Sequence, residues 1–291
     1  MKNVVTQPMR PFRTTSGRIE VHQIPSWNDN LIWLLVDPAS GDAAAIDGPQ
    51  ATEVLAYCRE HGYRLTTIMN THTHPDHIGI NTDLASQNLL DGIRVIGSRL
   101  RKADVPGITE CVDDHDAVYF AGVRGQVLLT EGHIDGHISF LFEDAIFCGD
   151  TLFTGGCGYL FDGPPETMWR SLSRLAALDP DTRVCCAHEY TQDNLRFAWF
   201  VEPGNRRLAQ RIADVWDKRA QGASVVPSTI ELERETNPFL RTQSLEIIER
   251  LRVLNPAFVS DEPSAVFAAT RALKDLKTYR EIKDADLPLS S

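Results

Sequence analysis

Thr71-His72-Thr73-His74-Pro75-Asp76-His77 sets four metal-binding side chains within six residues, in the pattern H-x-H-x-D-H. The preceding run, Leu65 to Asn70, is made of strand-type residues. In extended backbone, positions two apart point the same way, so His72 and His74 can face one site together. Asp76 and His77 sit where the chain turns towards its next element and can face a second, adjacent ion. Imidazole and carboxylate suit zinc, iron or manganese, with geometry choosing among them.

Two metals need more ligands than this cluster supplies, and the best candidates lie in loops that follow strands. His133 ends Thr130-Glu-Gly-His after an apolar strand, Asp150 follows Ala145-Ile-Phe-Cys-Gly, and His188 follows Arg183-Val-Cys-Cys-Ala. A loop at a strand end holds a side chain fixed while leaving a metal open to substrate. Asp150 suits a bridging role, because one aspartate can offer each oxygen to a different ion. His137 and Asp47 are placed as neighbouring supports, since metal-bound histidines usually donate their outer N–H to such acceptors. His22, His61 and His115 are read as ordinary hydrogen-bonded histidines.

The elements that must position these residues form two blocks. Up to His188, short apolar strands alternate with helical stretches. Strands are predicted at 32–36, 43–46, 94–96, 117–120, 125–129, 138–142, 145–147 and 183–186. Helices are predicted at 51–61, stopped by Gly62, and at 168–178. Beyond His188 the pattern is helical, at 191–201, 206–220, 244–254 and 263–280, with Ser228-Thr-Ile-Glu231 read as a capping box. The expected organisation is therefore a metal-binding catalytic domain over 1–188 and a helical domain over 189–291.

The 291 residues carry a formal net charge of −11. Residues 1–188 hold 14 Lys and Arg against 24 Asp and Glu, and residues 189–291 hold 15 against 16. That is a poor footprint for nucleic acid. No run approaches the length of a membrane span, and the first ten residues lack the apolar stretch of a signal peptide, so a cytoplasmic location is expected. None of the six cysteines forms a C-x-x-C pair, and reduced, mostly buried thiols are expected.

Taken in order, these pieces resemble the metallo-β-lactamase superfamily, and the longer strings resemble its glyoxalase II (hydroxyacylglutathione hydrolase) branch. The strings are Asp29-Asn-Leu-Ile-Trp33, the His72–His77 motif, Glu131-Gly-His-Ile-Asp-Gly-His137, Gly149-Asp-Thr-Leu-Phe153, Gly156-Cys-Gly158 and His188-Glu-Tyr-Thr191. Val201-Glu-Pro-Gly-Asn205, Asn237-Pro-Phe-Leu-Arg241 and Arg271-Ala-Leu-Lys-Asp275 continue them, so the likeness runs from about Ile24 to Lys277. It implies an α/β (α+β) fold, an αββα sandwich followed by a helical substrate domain. It puts His72, His74 and His133 on one divalent metal, Asp76, His77 and His188 on the other, and Asp150 between them. Zinc is the first expectation, with iron and manganese also compatible.

By the same likeness Tyr190, Asn194, Arg271 and Lys274 contact the glutathione part of a thioester. Arg271 and Lys274 lie three apart on a predicted helix, so one face presents both charges. Two positions depart from the branch. Tyr159 stands where a Lys or Arg usually follows Gly-Cys-Gly, and Phe161 stands where some members have Tyr. The segment before about Gly17 has no counterpart in the pattern.

The implied reaction is hydrolysis of S-D-lactoylglutathione to glutathione and D-lactate, the second step of methylglyoxal detoxification. Asp76 and Asp150 would hold the bridging hydroxide that attacks the thioester. A monomer acting on a small molecule is expected. The alternatives are a glutathione persulfide dioxygenase-like enzyme with one iron, or another hydrolase of the same fold. The complete set of seven ligands and the Arg271/Lys274 pair favour the first reading.

Overall fold

The computed structural model describes residues 3–289. Seven strands form the first sheet in chain order: β1 (Phe12–Arg13), β2 (Glu20–Ser26), β3 (Asn30–Val36), β4 (Asp42–Ile46), β5 (Arg64–Met69), β6 (Arg94–Ser98) and β7 (Glu110–Val112). The second sheet begins with the meander β8 (Ala117–Phe120), β9 (Val123–Leu129), β10 (Ile138–Phe142) and β11 (Ala145–Gly149). A separate hairpin of β12 (Leu152–Phe153) and β13 (Gly156–Cys157) follows. The second sheet is then completed by β14 (Arg183–Cys186), parallel to β11, and β15 (Ser228–Thr229) at its edge.

Strand β3 shows how the layers arise. All seven of its residues are buried, because the sheet is covered on both faces. Leu31, Trp33 and Leu35 point into the core shared by the two sheets, while Ile32, Leu34 and Val36 point the other way. That outer face is covered by α1 (Thr52–His61) and α2 (Gly79–Ser86), through Val54, Cys58, Ile80 and Leu84. Beyond the second sheet lies α3 (Pro165–Ala176), whose Met168, Leu172 and Leu175 join the central core. The result is the predicted αββα sandwich.

The helical part comprises α4 (Thr191–Val201), α5 (Arg206–Ala220), α6 (Ile230–Thr236), α7 (Leu245–Leu254) and α8 (Pro263–Asp275). Two expectations need correction. The last helix stops at Asp275, not Arg280, because Lys277 turns into the left-handed region at φ 60°. Helix α6 is capped by Thr229, whose side chain accepts from the Leu232 amide, while Ser228 is held in the β14–β15 ladder. Through β15 a strand from beyond residue 188 adds an edge to the second sheet.

Gly62 does end α1, in a left-handed conformation at φ 72°. The six cysteines are free thiols; five are buried and Cys111 is half-buried. Among the described residues no helix is long and apolar enough to cross a membrane.

Candidate metal centre

Parallel strands gather the donors at one edge of the sandwich. Asp47 follows β4 and the His72–His77 loop follows β5, a parallel pair in the first sheet. Asp150 follows β11 and His188 follows β14, a parallel pair in the second. His133 comes from the loop between β9 and β10. The two sheets thus meet at this edge with the C-terminal ends of their parallel strands. Gly149 makes the approach possible: its φ is +47°, and a Cβ there would lie 2.3 Å from Thr71 Oγ1 and 2.8 Å from His137 Nε2.

The seven predicted donors converge in two groups. In the first, His74 Nδ1 lies 3.0 Å from both His72 Nε2 and His133 Nε2, and His133 Nε2 lies 3.4 Å from Asp150 Oδ2. In the second, His188 Nε2 lies 3.4 Å from His77 Nε2 and from Asp76 Oδ2. Asp150 Oδ1 stands 3.5 Å from His77 Nε2 and 3.4 Å from His188 Nε2. One carboxylate therefore turns one oxygen to each group.

These donors fit metal ions on two counts. Ligands about 2.0–2.1 Å from a tetrahedral zinc stand roughly 3.3 Å apart, which is the spacing seen here. Asp150 Oδ1 is buried with no hydrogen-bond partner, an acceptor whose desolvation a cation would offset.

Hydrogen bonds on the far side of four of the rings fix which nitrogen faces inward. His77 Nδ1 donates to Asp47 Oδ2 at 3.0 Å, His133 Nδ1 to the Tyr159 carbonyl at 2.7 Å, and His188 Nδ1 to Asp29 Oδ1 at 2.9 Å. His72 Nδ1 meets Thr71 Oγ1 at 3.1 Å, and that hydroxyl donates to Asp47 Oδ2 at 2.6 Å. In each case Nε2 keeps its lone pair for the centre.

Asp47 also accepts from the Thr71 amide, so its oxygens are spent on support. His137 lies behind the site with both nitrogens engaged. Nδ1 meets Thr130 and Thr151, and Nε2 accepts from the Asp150 amide at 3.2 Å. Two supports escaped the sequence reading of single residues: Asp29, and Asn30, whose Nδ2 donates to Asp76 Oδ2 at 3.0 Å. Their signals were position, at the start of an apolar strand, and membership of the string Asp29-Asn-Leu-Ile-Trp33.

Electrostatics separate the rings. Burial, reinforced by neighbouring histidines, pulls His72 and His137 well below the ordinary imidazole value. Burial acts on His77 as well, but the carboxylates of Asp150 and Asp47 outweigh it and lift it to about 9. The second group is thus the more anionic surrounding, a place that stabilises positive charge.

Beside the donors opens a cavity of about 480 Å³ whose wall includes Tyr159, Tyr190, Asn194, Arg271 and Lys274. Tyr190 stacks on His188, with ring planes 2° apart and centroids 4.9 Å apart. Arg271 and Lys274 are sunk in the helical packing, with Arg271 held by Asp275 and by the Cys157 carbonyl. Asn194 is used at both ends, donating to the Thr154 carbonyl and accepting from Lys274. Phe161 is largely exposed and sets its ring 5.2 Å from those of His74 and His133, with Tyr159 against its other side.

A two-sheet sandwich with paired His/Asp donors at one edge defines the metallo-beta-lactamase superfamily, whose family model matches residues 29–188. A second model, the hydroxyacylglutathione hydrolase C-terminus, matches residues 189–276. The hydroxyacylglutathione hydrolase of Methylococcus capsulatus is 44% identical over 89% of this chain and 98% of its own length; that of Ectopseudomonas mendocina is 45% identical over 88% and 99%. Among solved structures, ETHE1 from Myxococcus xanthus is 26% identical with a TM-score of 0.56, covering 88% of this chain and 98% of its own. The BLEG-1 B3 metallo-beta-lactamase, at 18% identity and a TM-score of 0.54, shares the fold. This chain belongs to the hydroxyacylglutathione hydrolase family.

Proposed function

We propose that this chain hydrolyses S-D-lactoylglutathione to glutathione and D-lactate. The observation that carries the reading is the pairing of the two donor groups, joined through Asp150, with a cavity whose wall holds Arg271 and Lys274. Relatives that bear the name hydroxyacylglutathione hydrolase, aligned over nearly their whole length, support it.

In this reading His72, His74 and His133 hold one divalent ion, Asp76, His77 and His188 hold the other, and Asp150 serves both. Zinc is the proposed metal, and iron or manganese would also suit imidazole and carboxylate. Bound there, the ions supply Lewis-acid charge and an activated water. Asp76 and Asp150 would set their carboxylates at the reacting centre, offset part of the ions' charge and hold the bridging hydroxide. Lys274 and Arg271 bind the glutathione carboxylates, and Asn194 fixes the Lys274 amine. Tyr190 closes one side against His188, and Phe161 screens the first group from solvent. Water adds to the thioester carbonyl carbon and gives up a proton, the C–S bond breaks with its electron pair leaving on sulfur, and that proton passes through solvent to the thiolate, which needs no protein acid to leave.

The proposed division of labour places catalysis in residues 1–188 and most of the glutathione contacts in 189–291. The proposal includes a monomer acting in the cytoplasm on a small molecule, with neither nucleic acid nor membrane as partner. The mononuclear iron reading uses one donor group and leaves the other without a role. The test is thiol release from a panel of glutathione thioesters, with metal analysis of the same sample. Inert thioesters, or one ion per chain in active enzyme, would reject it.

A further inference from the structure

The segment that precedes the family pattern is fastened to the helical part of the molecule. The Thr6 and Gln7 amides both donate to the Gly222 carbonyl at 3.0 Å, and the Ser224 amide returns a bond to the Gln7 carbonyl at 2.9 Å. Arg219 Nη2 donates to the carbonyls of Asn3 and Val4, each at 2.9 Å, and Val5 is buried in the central core. At the other end the Met9 amide donates to Gln23 Oε1. Gly222 is shaped for this contact, since a Cβ there would lie 2.1 Å from Thr6 Oγ1. Several bonds over seven residues, with an apolar anchor between them, define a strap that holds its position.

Asn3, at the end of the strap, forms part of the wall of the cavity that holds Arg271, Lys274, Tyr159 and Tyr190. Two of the three cations in that wall already face carboxylates: Arg271 is paired with Asp275 and Arg280 with Asp193, while Lys274 meets the Asn194 amide oxygen. An asparagine amide offers two N–H donors and an acceptor, which suits a peptide bearing carboxylates and amides.

We propose that the strap is a substrate-recognition element and that Asn3 contacts the peptide portion of the thioester, as a specificity residue the family pattern lacks. The proposal rests on the reading of this cavity as the glutathione site. It places Asn3 in binding alone, outside the donor set of the metal centre.

The experiment compares Asn3→Asp, Asn3→Lys and Arg271→Ala with the native full-length, metal-loaded chain. Steady-state kinetics are measured on S-D-lactoylglutathione and on the lactoyl thioester of N-acetylcysteamine, which lacks the glutathione carboxylates. The net value of one hydrogen bond corresponds to about three- to tenfold in affinity. Asn3→Asp should raise KM for the glutathione thioester by about that factor and Asn3→Lys should lower it, with kcat and the short thioester unmoved. This reversal of sign with charge is not produced by a structural role. If both Asn3 variants leave KM unchanged while Arg271→Ala raises it, the strap proposal falls and the glutathione site stands. If Arg271→Ala also leaves KM unchanged, the cavity is not the glutathione site and both fall. If the short thioester suffers equally, Asn3 acts through the fold and the proposal is overturned.

Discussion

Lys274 should give glutathione binding a pH dependence that the metal centre does not share. Its amine is buried among Phe197, Phe239 and Arg271, and burial, aided by the Arg271 charge, lowers it from its ordinary 10.5 to about 7. In the free enzyme about half of the amines are then protonated at pH 7 and roughly one in eleven at pH 8. If only the ammonium pairs with a carboxylate, KM rises from its acid limit by about twofold at pH 7 and about elevenfold at pH 8. The climb ends where the pocket binds without that contact. A charged hydrogen bond worth about 1.5–3 kcal/mol sets this ceiling at roughly ten- to 150-fold.

The assay is KM for S-D-lactoylglutathione from pH 6 to 9, divided by KM for the short thioester, which cancels titrations at the metal centre. Lys274→Met should give a high, flat ratio. A flat ratio in the native enzyme, or an unchanged slope in Lys274→Met, would refute the reasoning. The same depression makes the folded state more stable as pH rises from about 7 to 10.5, because the unfolded chain keeps a proton there that the native amine has lost. The penalty is in full force below pH 7, and Lys274→Met should remove this slope from urea midpoints measured across the window.

Asp150→Ala removes the carboxylate common to both donor groups; thioester hydrolysis should vanish while circular dichroism stays native, and retained activity would count against a shared ligand. His137→Ala should cost less metal than His133→Ala, as read by elemental analysis, because both His137 nitrogens are committed to protein partners. Asp29→Ala strips the outer partner of His188 and should weaken binding at the second group by about ten- to 100-fold in a chelator competition, with the first group spared. Glu233→Ala leaves Arg211 as a buried cation without its carboxylate and should cost about 3–5 kcal/mol in urea unfolding. Replacing both residues by apolar ones should recover part of that loss.

Much of the architecture was legible because burial on two faces leaves an obvious mark. Strands such as 32–36 and 145–147 read as unbroken apolar runs, and the helices at 191–201 and 206–220 repeat at helical spacing. The donors were legible for a different reason: they cluster in sequence or follow strands that could be seen. What escaped was set by partners far away in the chain. Strand β2 carries His22, Gln23 and Pro25, an unpromising core strand, yet Gln23 is satisfied by the Val226 carbonyl and the Met9 amide. Helix α2 starts at Gly79 with no capping side chain to announce it. The burial of Arg271 and Lys274 was invisible, because their spacing is equally that of a solvated helix face, and only the Cys157 carbonyl, Asp275 and Asn194 make the buried position tenable.

These long-range partners explain why a metal-binding sandwich carries a helical addition. The inward nitrogen of His133 is set by the Tyr159 carbonyl, and Tyr159 lies two residues past the β12–β13 hairpin. That hairpin is pinned from the helical side. Glu233 accepts the Gly155 amide at 2.8 Å, Asn237 Nδ2 donates to the carbonyls of Phe153 and Gly156, and Arg271 donates to the Cys157 carbonyl. Glu233 is itself fixed by Arg211, whose guanidinium also reaches Ser228 at the end of β15. Members of a buried network of this kind polarise and position one another, so loosening any one of them is felt along the chain. The helical elements therefore contribute the cations of the cavity and also hold the loop that orients one histidine of the metal centre. The wall of the cavity and the geometry of the donors depend on the same few backbone atoms, from Phe153 to Tyr159.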